Sequence, residues 1–123
     1  MERHPRVLIV DDDDITREVV AEALAAEGYD VATANDGETA LEVARVFDPD
    51  LVLLDMLMPI MGGRAFARAF REQSARPVPI IVVTATFDSA TSAAQIGADG
   101  FLDKPFSLDQ LLALISARVR DEE

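Results

Sequence analysis

Five side chains of this sequence are able to do chemistry together if the fold brings them to one place. Each comes at or just after the end of a short apolar run: Asp11, Asp12, Asp55, Thr84 and Lys104. Carboxylates placed side by side repel one another unless a cation lies among them, and a hard cation such as Mg²⁺ prefers oxygen ligands. An ammonium and a hydroxyl beside that cation complete an environment for a phosphoryl group. The set therefore indicates phosphoryl transfer with Asp55 as the nucleophile.

Each of these residues also has an ordinary structural explanation. Asp55 alone could simply begin a turn, and the acidic run Asp11–Asp14 could be a solvated loop that caps a helix. Thr84 and Lys104 could be a strand-end residue and a surface lysine. The shared position of all of them at the ends of apolar runs, rather than any one residue, favours a common site.

The apolar pattern predicts five strands, each followed by a helix. The predicted strands are short and rich in branched residues: Arg6–Val10, Tyr29–Ala34 near an edge, Leu51–Leu54 at the centre, Ile80–Val83 and Phe101–Leu102. Apolar residues at helical spacing then follow each strand: Ile15 to Leu24 ended by Gly28, Ala40 to Phe47, Gly63–Gln73, the weak segment Asp88–Ile96, and Leu108 to Val119 capped by Ser107. Strict alternation predicts an α/β fold with a doubly wound parallel sheet and helices on both faces.

Composition limits the classes of protein to which the chain can belong. Its 123 residues suit one domain, with a core from about 6 to 119. The formal net charge of −12 argues against direct binding of nucleic acid. No cysteine is present for a disulfide or thiolate site, and His4 suits a solvated tail. Without a long apolar segment or a signal peptide, we expect no membrane contact and a cytoplasmic location.

Four segments together resemble the receiver domain of bacterial two-component response regulators. These segments are VLIVDDDD, LVLLDMLMPIMGG, IIVVTA and GADGFLDKPF, and the likeness extends over essentially the whole chain. The resemblance implies a flavodoxin-like sheet with strand order 2-1-3-4-5. It also implies a signalling phosphoacceptor rather than an enzyme in the usual sense, although such a domain assists its own phosphorylation and dephosphorylation. The implied partners are a sensor histidine kinase or histidine phosphotransfer protein and an unknown downstream target, and a phosphorylation-dependent homodimer is compatible with the interpretation.

The resemblance assigns roles around a Mg²⁺ ion. Asp55 resembles the phospho-accepting aspartate. Asp12 resembles the direct metal ligand, and Asp11 resembles the second acid, which acts more through water. The backbone carbonyl of Leu57 resembles the main-chain metal ligand, and Lys104 resembles the lysine that pairs with the phosphoryl group.

A conformational switch is implied by the same likeness. Thr84 resembles the hydroxyl that turns toward the phosphoryl group, and Phe101 resembles the aromatic switch residue, at which tyrosine is common. The peptide bond between Lys104 and Pro105 is cis in the family. Phosphorylation is then expected to draw Thr84 inward, with Phe101 moving into the vacated space.

Several positions depart from the family pattern or adjust it. Gly62 stands where aspartate is frequent, which predicts a more mobile loop. The segment between Thr84 and Lys104 is shorter than usual, so the conformation of 86–97 is open. Leu57 and Thr86 flank the path of an attacking water, and Leu57 cannot orient that water by hydrogen bonding. We therefore expect a long-lived phospho-aspartate.

Two other classes of protein compete with this interpretation. Asp12 and Asp14, with Ile15 and Thr16, fit the DxDxT pattern of haloacid-dehalogenase-like phosphatases. Asp12 would then be the nucleophile and Asp14 the general acid and base, but Asp55 would go unexplained. A docking module that is never phosphorylated is the other alternative, and the complete set of acidic, hydroxyl and lysine residues argues against it.

Overall fold

The computed structural model describes residues 4–58, 61–85 and 89–121. Five strands alternate with five helices, as the sequence predicts. The strands are β1 (Arg6–Val10), β2 (Asp30–Ala34), β3 (Leu51–Leu54), β4 (Ile80–Thr84) and β5 (Gly100–Asp103). The helices are α1 (Asp14–Ala26), α2 (Gly37–Phe47), α3 (Gly63–Gln73), α4 (Ser89–Ile96) and α5 (Leu108–Asp121). No helix in these described ranges is both long enough and apolar enough to cross a bilayer.

All five strands form one parallel sheet in the order β2-β1-β3-β4-β5. The predicted strand order and the predicted edge position of β2 are confirmed. β3 is central, and all four of its residues are buried, as expected for a strand covered by helices on both faces. Because every strand runs in the same direction, the residues that follow β1, β3 and β4 lie along one edge of the sheet.

Two apolar cores lie on opposite faces of this sheet. One contains side chains of α2, α3 and α4, and is centred on Leu8, Leu54 and Phe66. The other contains side chains of α1 and α5, and is centred on Ile9, Leu24 and Ile115. The alternation of inward directions along β1, where Leu8 and Ile9 enter different cores, explains why the strand is apolar throughout.

Helix α1 covers the sheet with only part of its apolar surface. Val20 and Leu24 are buried, whereas Ile15 is 74% exposed and Val19 is 47% exposed. All four residues recur at helical spacing, so periodicity alone does not separate the two pairs. Ile15 and Val19 therefore leave an uncovered apolar surface on the amino-terminal half of α1, next to Lys104.

Polar residues cap three of the helices. Asp13 accepts hydrogen bonds from the N–H groups of Ile15 and Thr16 at the start of α1. Asp36 does the same for α2, and Ser107 accepts from the N–H of Gln110 in α5, which confirms the predicted cap. Just after α1, Gly28 has a φ of 95°, a conformation that glycine adopts without strain. Gly62 precedes α3 and offers no side-chain cap.

At the opposite, amino-terminal edge of the sheet, a buried carboxylate is paired with a cation. Asp50, which precedes β3, is 8% exposed. Its carboxylate accepts a hydrogen bond from the main-chain N–H of Arg6 at 2.8 Å and another from the guanidinium of Arg76 at 3.0 Å. Arg76 also donates to the carbonyl of Pro49 at 2.9 Å. Donor and acceptor are therefore matched at this edge, which favours a structural role for Asp50.

Helix α4 is formed despite its weak sequence pattern. It spans Ser89–Ile96, and the predicted first residue, Asp88, lies outside the described residues. The turn after α4 is held from both faces of the sheet. Arg71 of α3 donates to the carbonyls of Ile96 and Gly97, and Arg118 of α5 donates to the carbonyl of Asp99. These cationic donors satisfy carbonyls at the helix end that have no partner within the helix.

Candidate phosphoryl-transfer site

The site begins where β1 and β3 end side by side. Val10 is in register with Leu54, so the next residues, Asp11 and Asp55, are neighbours. The N–H of Asp55 donates to the carbonyl of Val10 at 2.9 Å, which fixes the start of the loop that follows. Asp11 is 4% exposed and Asp55 is 5% exposed. Two carboxylates are therefore buried next to each other at the carboxyl edge of the sheet.

Asp12 and Lys104 complete the charged cluster. One carboxylate oxygen each of Asp11, Asp12 and Asp55 lies within 4.8 Å of the others. The ammonium of Lys104 lies 2.8 Å from Oδ2 of Asp11 and 3.6 Å from Oδ2 of Asp55. One ammonium does not neutralise three carboxylates, so the cluster keeps an excess of negative charge.

The surroundings change the proton affinities of two members. Burial raises the pKa of Asp55 to about 6, and repulsion from Asp11 and Asp12 acts in the same direction, against the N–H of Leu57 and the charge of Lys104. Burial alone would lower the pKa of Lys104. The hydrogen bond to Asp11 and the charges of Asp11 and Asp55 outweigh the effect of burial, so the pKa of Lys104 is raised. Near neutral pH, Lys104 is therefore protonated, and ionised Asp55 costs stability.

The donor set fits a hard divalent cation. The three clustered groups are carboxylates, and Mg²⁺ takes oxygen ligands and keeps several waters. Asp12 is exposed, and its side chain makes no hydrogen bond or ion pair with the described residues. Its carboxylate can therefore bind an ion without first losing a protein contact. A cation among the three groups would also reduce the repulsion that raises the pKa of Asp55.

The predicted switch residues lie on the two strands beside this cluster. Thr84 is fully buried at the end of β4, and its carbonyl accepts the N–H of Lys104 at 3.0 Å. The peptide bond between Lys104 and Pro105 is cis, as predicted. Phe101 is in register with Val82 of β4 and is 45% exposed.

The two positions predicted to set the dephosphorylation rate differ in what the structure describes. Leu57 is 58% exposed, and its N–H donates to Oδ1 of Asp55 at 3.2 Å. The residue whose main chain contacts the Asp55 carboxylate therefore carries an exposed apolar side chain. Thr86 lies outside the described residues.

Comparison with known proteins identifies the family. The response regulator receiver domain family matches residues 7–116. The chain is a receiver domain of the two-component response regulators. It is 40% identical over 120 residues to the DNA-binding response regulator MtrA of Mycolicibacterium smegmatis, covering 96% of this chain and 52% of that protein. It is also 40% identical over 117 residues to the response regulator MprA of Mycobacterium leprae, covering 94% and 51%. The chain thus spans about half the length of the curated relatives it matches.

Solved structures agree with this receiver fold. The chemotaxis response regulator CheY4 of Vibrio cholerae matches with a TM-score of 0.85 and 35% identity, over 94% of this chain and 98% of that one. The receiver domain of the Francisella response regulator 1452 matches with a TM-score of 0.87 and 26% identity, over 98% and 100%. The predicted flavodoxin-like architecture is confirmed.

The phosphatase alternative is not supported. The family match covers a signalling domain, and the clustered acids are Asp11, Asp12 and Asp55. Asp14, which that alternative needs as a general acid and base, is instead paired with Arg17 at 2.5 Å. The DxDxT match arises because a capping loop and a helix start follow the receiver's acidic pair.

The structure adds an apolar cleft that the sequence analysis did not single out as functional. A cleft of about 440 Å³ lies against the site and is lined in part by Ile15, Val19, Lys104, Phe106 and Leu108. Its apolar side chains come from the amino-terminal half of α1, the segment before α5 and the first residue of α5. The regular apolar spacing of α1 was the available signal in the sequence. That spacing does not distinguish the residues that the sheet covers from those that it leaves exposed.

Proposed function

We propose that this receiver domain accepts a phosphoryl group on Asp55 from a phosphohistidine donor, with Mg²⁺ bound at the acidic cluster. The observation that carries the proposal is the position of Asp55 beside Asp11 and Asp12, with the Lys104 ammonium in contact with Asp11 and Asp55. A carboxylate that is buried, ionised at neutral pH and next to a mobile cation is suited to attack phosphorus. The proposal takes the domain as 1–123, with its core from about 6 to 119.

Each residue of the site has a part in the transfer. An oxygen of Asp55 bonds to phosphorus, the bond from phosphorus to the histidine nitrogen breaks, and that nitrogen keeps the electron pair. Asp11, Asp12, Asp55 and the Leu57 carbonyl would hold Mg²⁺, which neutralises negative charge on the phosphoryl oxygens. Lys104 exchanges Asp11 for a phosphoryl oxygen, a move that its long, flexible side chain permits.

The response to phosphorylation passes through β4 and β5. The hydroxyl of Thr84 would donate to the new phosphoryl group. Phe101, which is partly exposed on the neighbouring strand, would turn inward as Thr84 moves. The phosphoryl group thereby favours one of two packings of the face formed by α4, β5 and α5.

The cleft beside the site supports docking of the phosphodonor. Ile15, Val19 and Leu108 are exposed apolar residues next to Lys104. An apolar helical surface of a histidine kinase or phosphotransfer protein could cover them while its phosphohistidine faces Asp55. The reaction would then take place in the cytoplasm, as the sequence led us to expect.

The proposal gives this chain no direct contact with nucleic acid. Its relative MtrA is described as DNA-binding, but the chain spans only about half of that relative. A net charge of −12 would repel the phosphate backbone. The downstream target is then a protein, and a phosphorylation-dependent homodimer is one such assembly, which sedimentation before and after phosphorylation would detect.

Incubation with acetyl phosphate and Mg²⁺, followed by intact mass spectrometry, tests the proposal. The wild type should gain the mass of one phosphoryl group, and Asp55→Asn should gain none. Asp12→Asn should gain it slowly or not at all, because a metal ligand is lost. Asp48→Asn, which changes an exposed acid far from the cluster, is the control and should behave as the wild type. Phosphorylation of Asp55→Asn, or none of the wild type, would refute the proposal.

The lifetime of the phospho-aspartate provides a second test. Leu57 offers no hydrogen bond to an attacking water, and its side chain is exposed beside Asp55. Leu57→Asn should therefore accelerate loss of the phosphoryl group, and Leu57→Met, which adds no hydrogen-bonding amide, should not. The decay of the phosphorylated mass with time measures both. An equal or slower rate in Leu57→Asn contradicts the assigned role of Leu57.

A further inference from the structure

Arg17 spans the loop that carries the acidic pair. Its side chain is 19% exposed, and it lies one turn into α1. One guanidinium nitrogen donates to the main-chain carbonyl of Asp11 at 2.8 Å, and the other contacts Oδ1 of Asp14 at 2.5 Å. The guanidinium therefore connects the last residue before the loop to the first residue of α1, with Asp12 and Asp13 between them.

These contacts fix the main chain of Asp11 on both sides. The N–H of Asp11 donates to the carbonyl of Ala34 on β2 at 3.1 Å, and its own carbonyl accepts from Arg17. The side chain of Asp11 is held as well, because Oδ1 accepts the N–H of Asp13 at 2.9 Å. Asp12, whose carboxylate faces solvent, is thus attached to a residue with little freedom to move.

Arg17 differs from Lys104 in what it occupies. Lys104 binds Oδ2 of Asp11, an atom that a cation would also use, so Lys104 and a cation compete. Arg17 binds a carbonyl of Asp11 and the carboxylate of Asp14, neither of which belongs to the cluster of Asp11, Asp12 and Asp55 carboxylates. It can therefore hold the loop while the cluster's oxygens remain open to an ion.

We propose that Arg17 is a positioning residue for the cation site: its two-pronged contact to the Asp11 carbonyl and Asp14 orders the Asp11–Asp12 pair before the ion binds. This inference rests on the proposed function, since it assumes that Mg²⁺ binds this cluster. Partners of metal ligands that fix ligand orientation raise metal affinity without touching the ion. A planar guanidinium meets two acceptors at once, which the point charge of an ammonium cannot reproduce.

A purely electrostatic role for Arg17 would have a different signature. A positive charge near the cluster repels Mg²⁺, so its removal alone would strengthen Mg²⁺ binding, and replacement by another cation would leave binding unchanged. Loss of positioning would instead weaken Mg²⁺ binding, and it would do so in both Arg17→Lys and Arg17→Met. Arg17→Lys and Arg17→Met therefore separate the two roles.

Calorimetric titration of MgCl₂ into the unphosphorylated protein measures the affinity directly. Both Arg17→Lys and Arg17→Met should bind Mg²⁺ roughly tenfold more weakly than the wild type, a typical loss for a partner of metal ligands. Arg64→Met, which removes an exposed arginine of α3, is the matched control and should keep the wild-type affinity. Urea unfolding of each variant confirms that the folded protein is being titrated.

The outcomes are distinct. If Arg17→Lys binds Mg²⁺ as tightly as the wild type, the inference is overturned, whether or not Arg17→Met binds Mg²⁺ more tightly. Arg17 then acts only through its charge or only on the structure. Arg17→Lys decides the question by itself if Arg17→Met does not fold, because it keeps the charge. Absence of Mg²⁺ binding by the wild type would instead refute the proposed cation site, and this inference with it.

Discussion

Asp50 and Asp55 flank the same four-residue strand, β3, and both are buried, yet their surroundings are opposite. Asp50, at the amino end, accepts a main-chain N–H from Arg6 and is paired with the guanidinium of Arg76 at 3.0 Å. Asp55, at the carboxyl end, lies 3.6 Å from the ammonium of Lys104, which is closer to another carboxylate. Asp50 shares its cation with a solvent-exposed acid, Asp48, whereas Asp55 shares its cation with a second buried acid, Asp11.

This difference distinguishes an aspartate with a structural role from an aspartate with a functional one. A buried carboxylate with matched donors stabilises the fold, and removal of it deprives those donors of a common acceptor. Buried carboxylates that outnumber their cations reduce stability, and groups of this kind are concentrated at functional sites. Burial alone therefore does not identify the site. The number of buried acids that share one cation does.

Asp50→Ala should produce the largest change in stability. Arg76 and the N–H of Arg6 would lose their common acceptor, so the free energy of unfolding should fall by about 2–4 kcal/mol. Asp48→Asn is the control, because Asp48 is an exposed partner of the same arginine at 3.4 Å and asparagine also tolerates its left-handed backbone, and it should cost no more than about 0.5 kcal/mol. Urea unfolding measures both, and equal effects of the two substitutions would remove the distinction drawn for Asp50.

Asp55→Asn should change stability in the opposite direction. With divalent cations removed by a chelator, neutralising one of the three clustered carboxylates relieves repulsion and desolvation, and should raise the free energy of unfolding by about 1–3 kcal/mol at neutral pH. Asp30→Asn, an exposed acid at the start of β2, controls for the change in net charge. Destabilisation of the protein by Asp55→Asn would mean that Asp55, like Asp50, is compensated.

The pH dependence of stability should show the same contrast on a smaller scale. In the folded protein the pKa of Asp55 is about 6, above the value of about 4 for an unfolded aspartate. Between these values the folded state binds more protons than the unfolded state. The contribution of Asp55 is therefore most favourable below pH about 4 and is lost as the pH rises through about 6, at roughly 1 kcal/mol per pH unit.

Unfolding of the wild type and Asp55→Asn, measured over this pH range without divalent cations, isolates that contribution. The gap in stability between the two proteins should widen as the pH rises. A gap that stays constant would show that Asp55 has an ordinary pKa. Addition of Mg²⁺ should narrow the gap at neutral pH, because a cation stabilises the ionised cluster of the wild type.

The sequence was sufficient to predict the carboxyl edge but not the amino edge. Asp55 follows an apolar strand, and parallel strands bring such positions together whatever the loops do. Asp50 lies in the segment Asp48-Pro49-Asp50, which indicates only the end of a helix. Its partner Arg76 is 26 residues away, and no periodic pattern connects the two.

The uncovered surface of α1 and the contacts of Arg17 were missed for a related reason. Helical spacing predicts that Ile15 and Val20 are equally buried, although only Val20 of the two is buried in the structure. The contact from Arg17 to the Asp11 carbonyl depends on how the acidic loop folds back over α1. Sequence spacing predicts which residues share a helix or strand. Tertiary geometry determines which of those residues stay exposed and which contacts their side chains make.

The turn between α4 and β5 has a mechanical consequence. Arg71 and Arg118 reach it from opposite faces of the sheet and hold the carbonyls of Ile96, Gly97 and Asp99. If α4 moves as a rigid segment while this turn stays held, it rotates about the turn and its amino-terminal end travels farthest. A displacement that begins at Thr84 would therefore swing α4 through an arc, and a partner would detect a change of angle rather than a translation along the sheet.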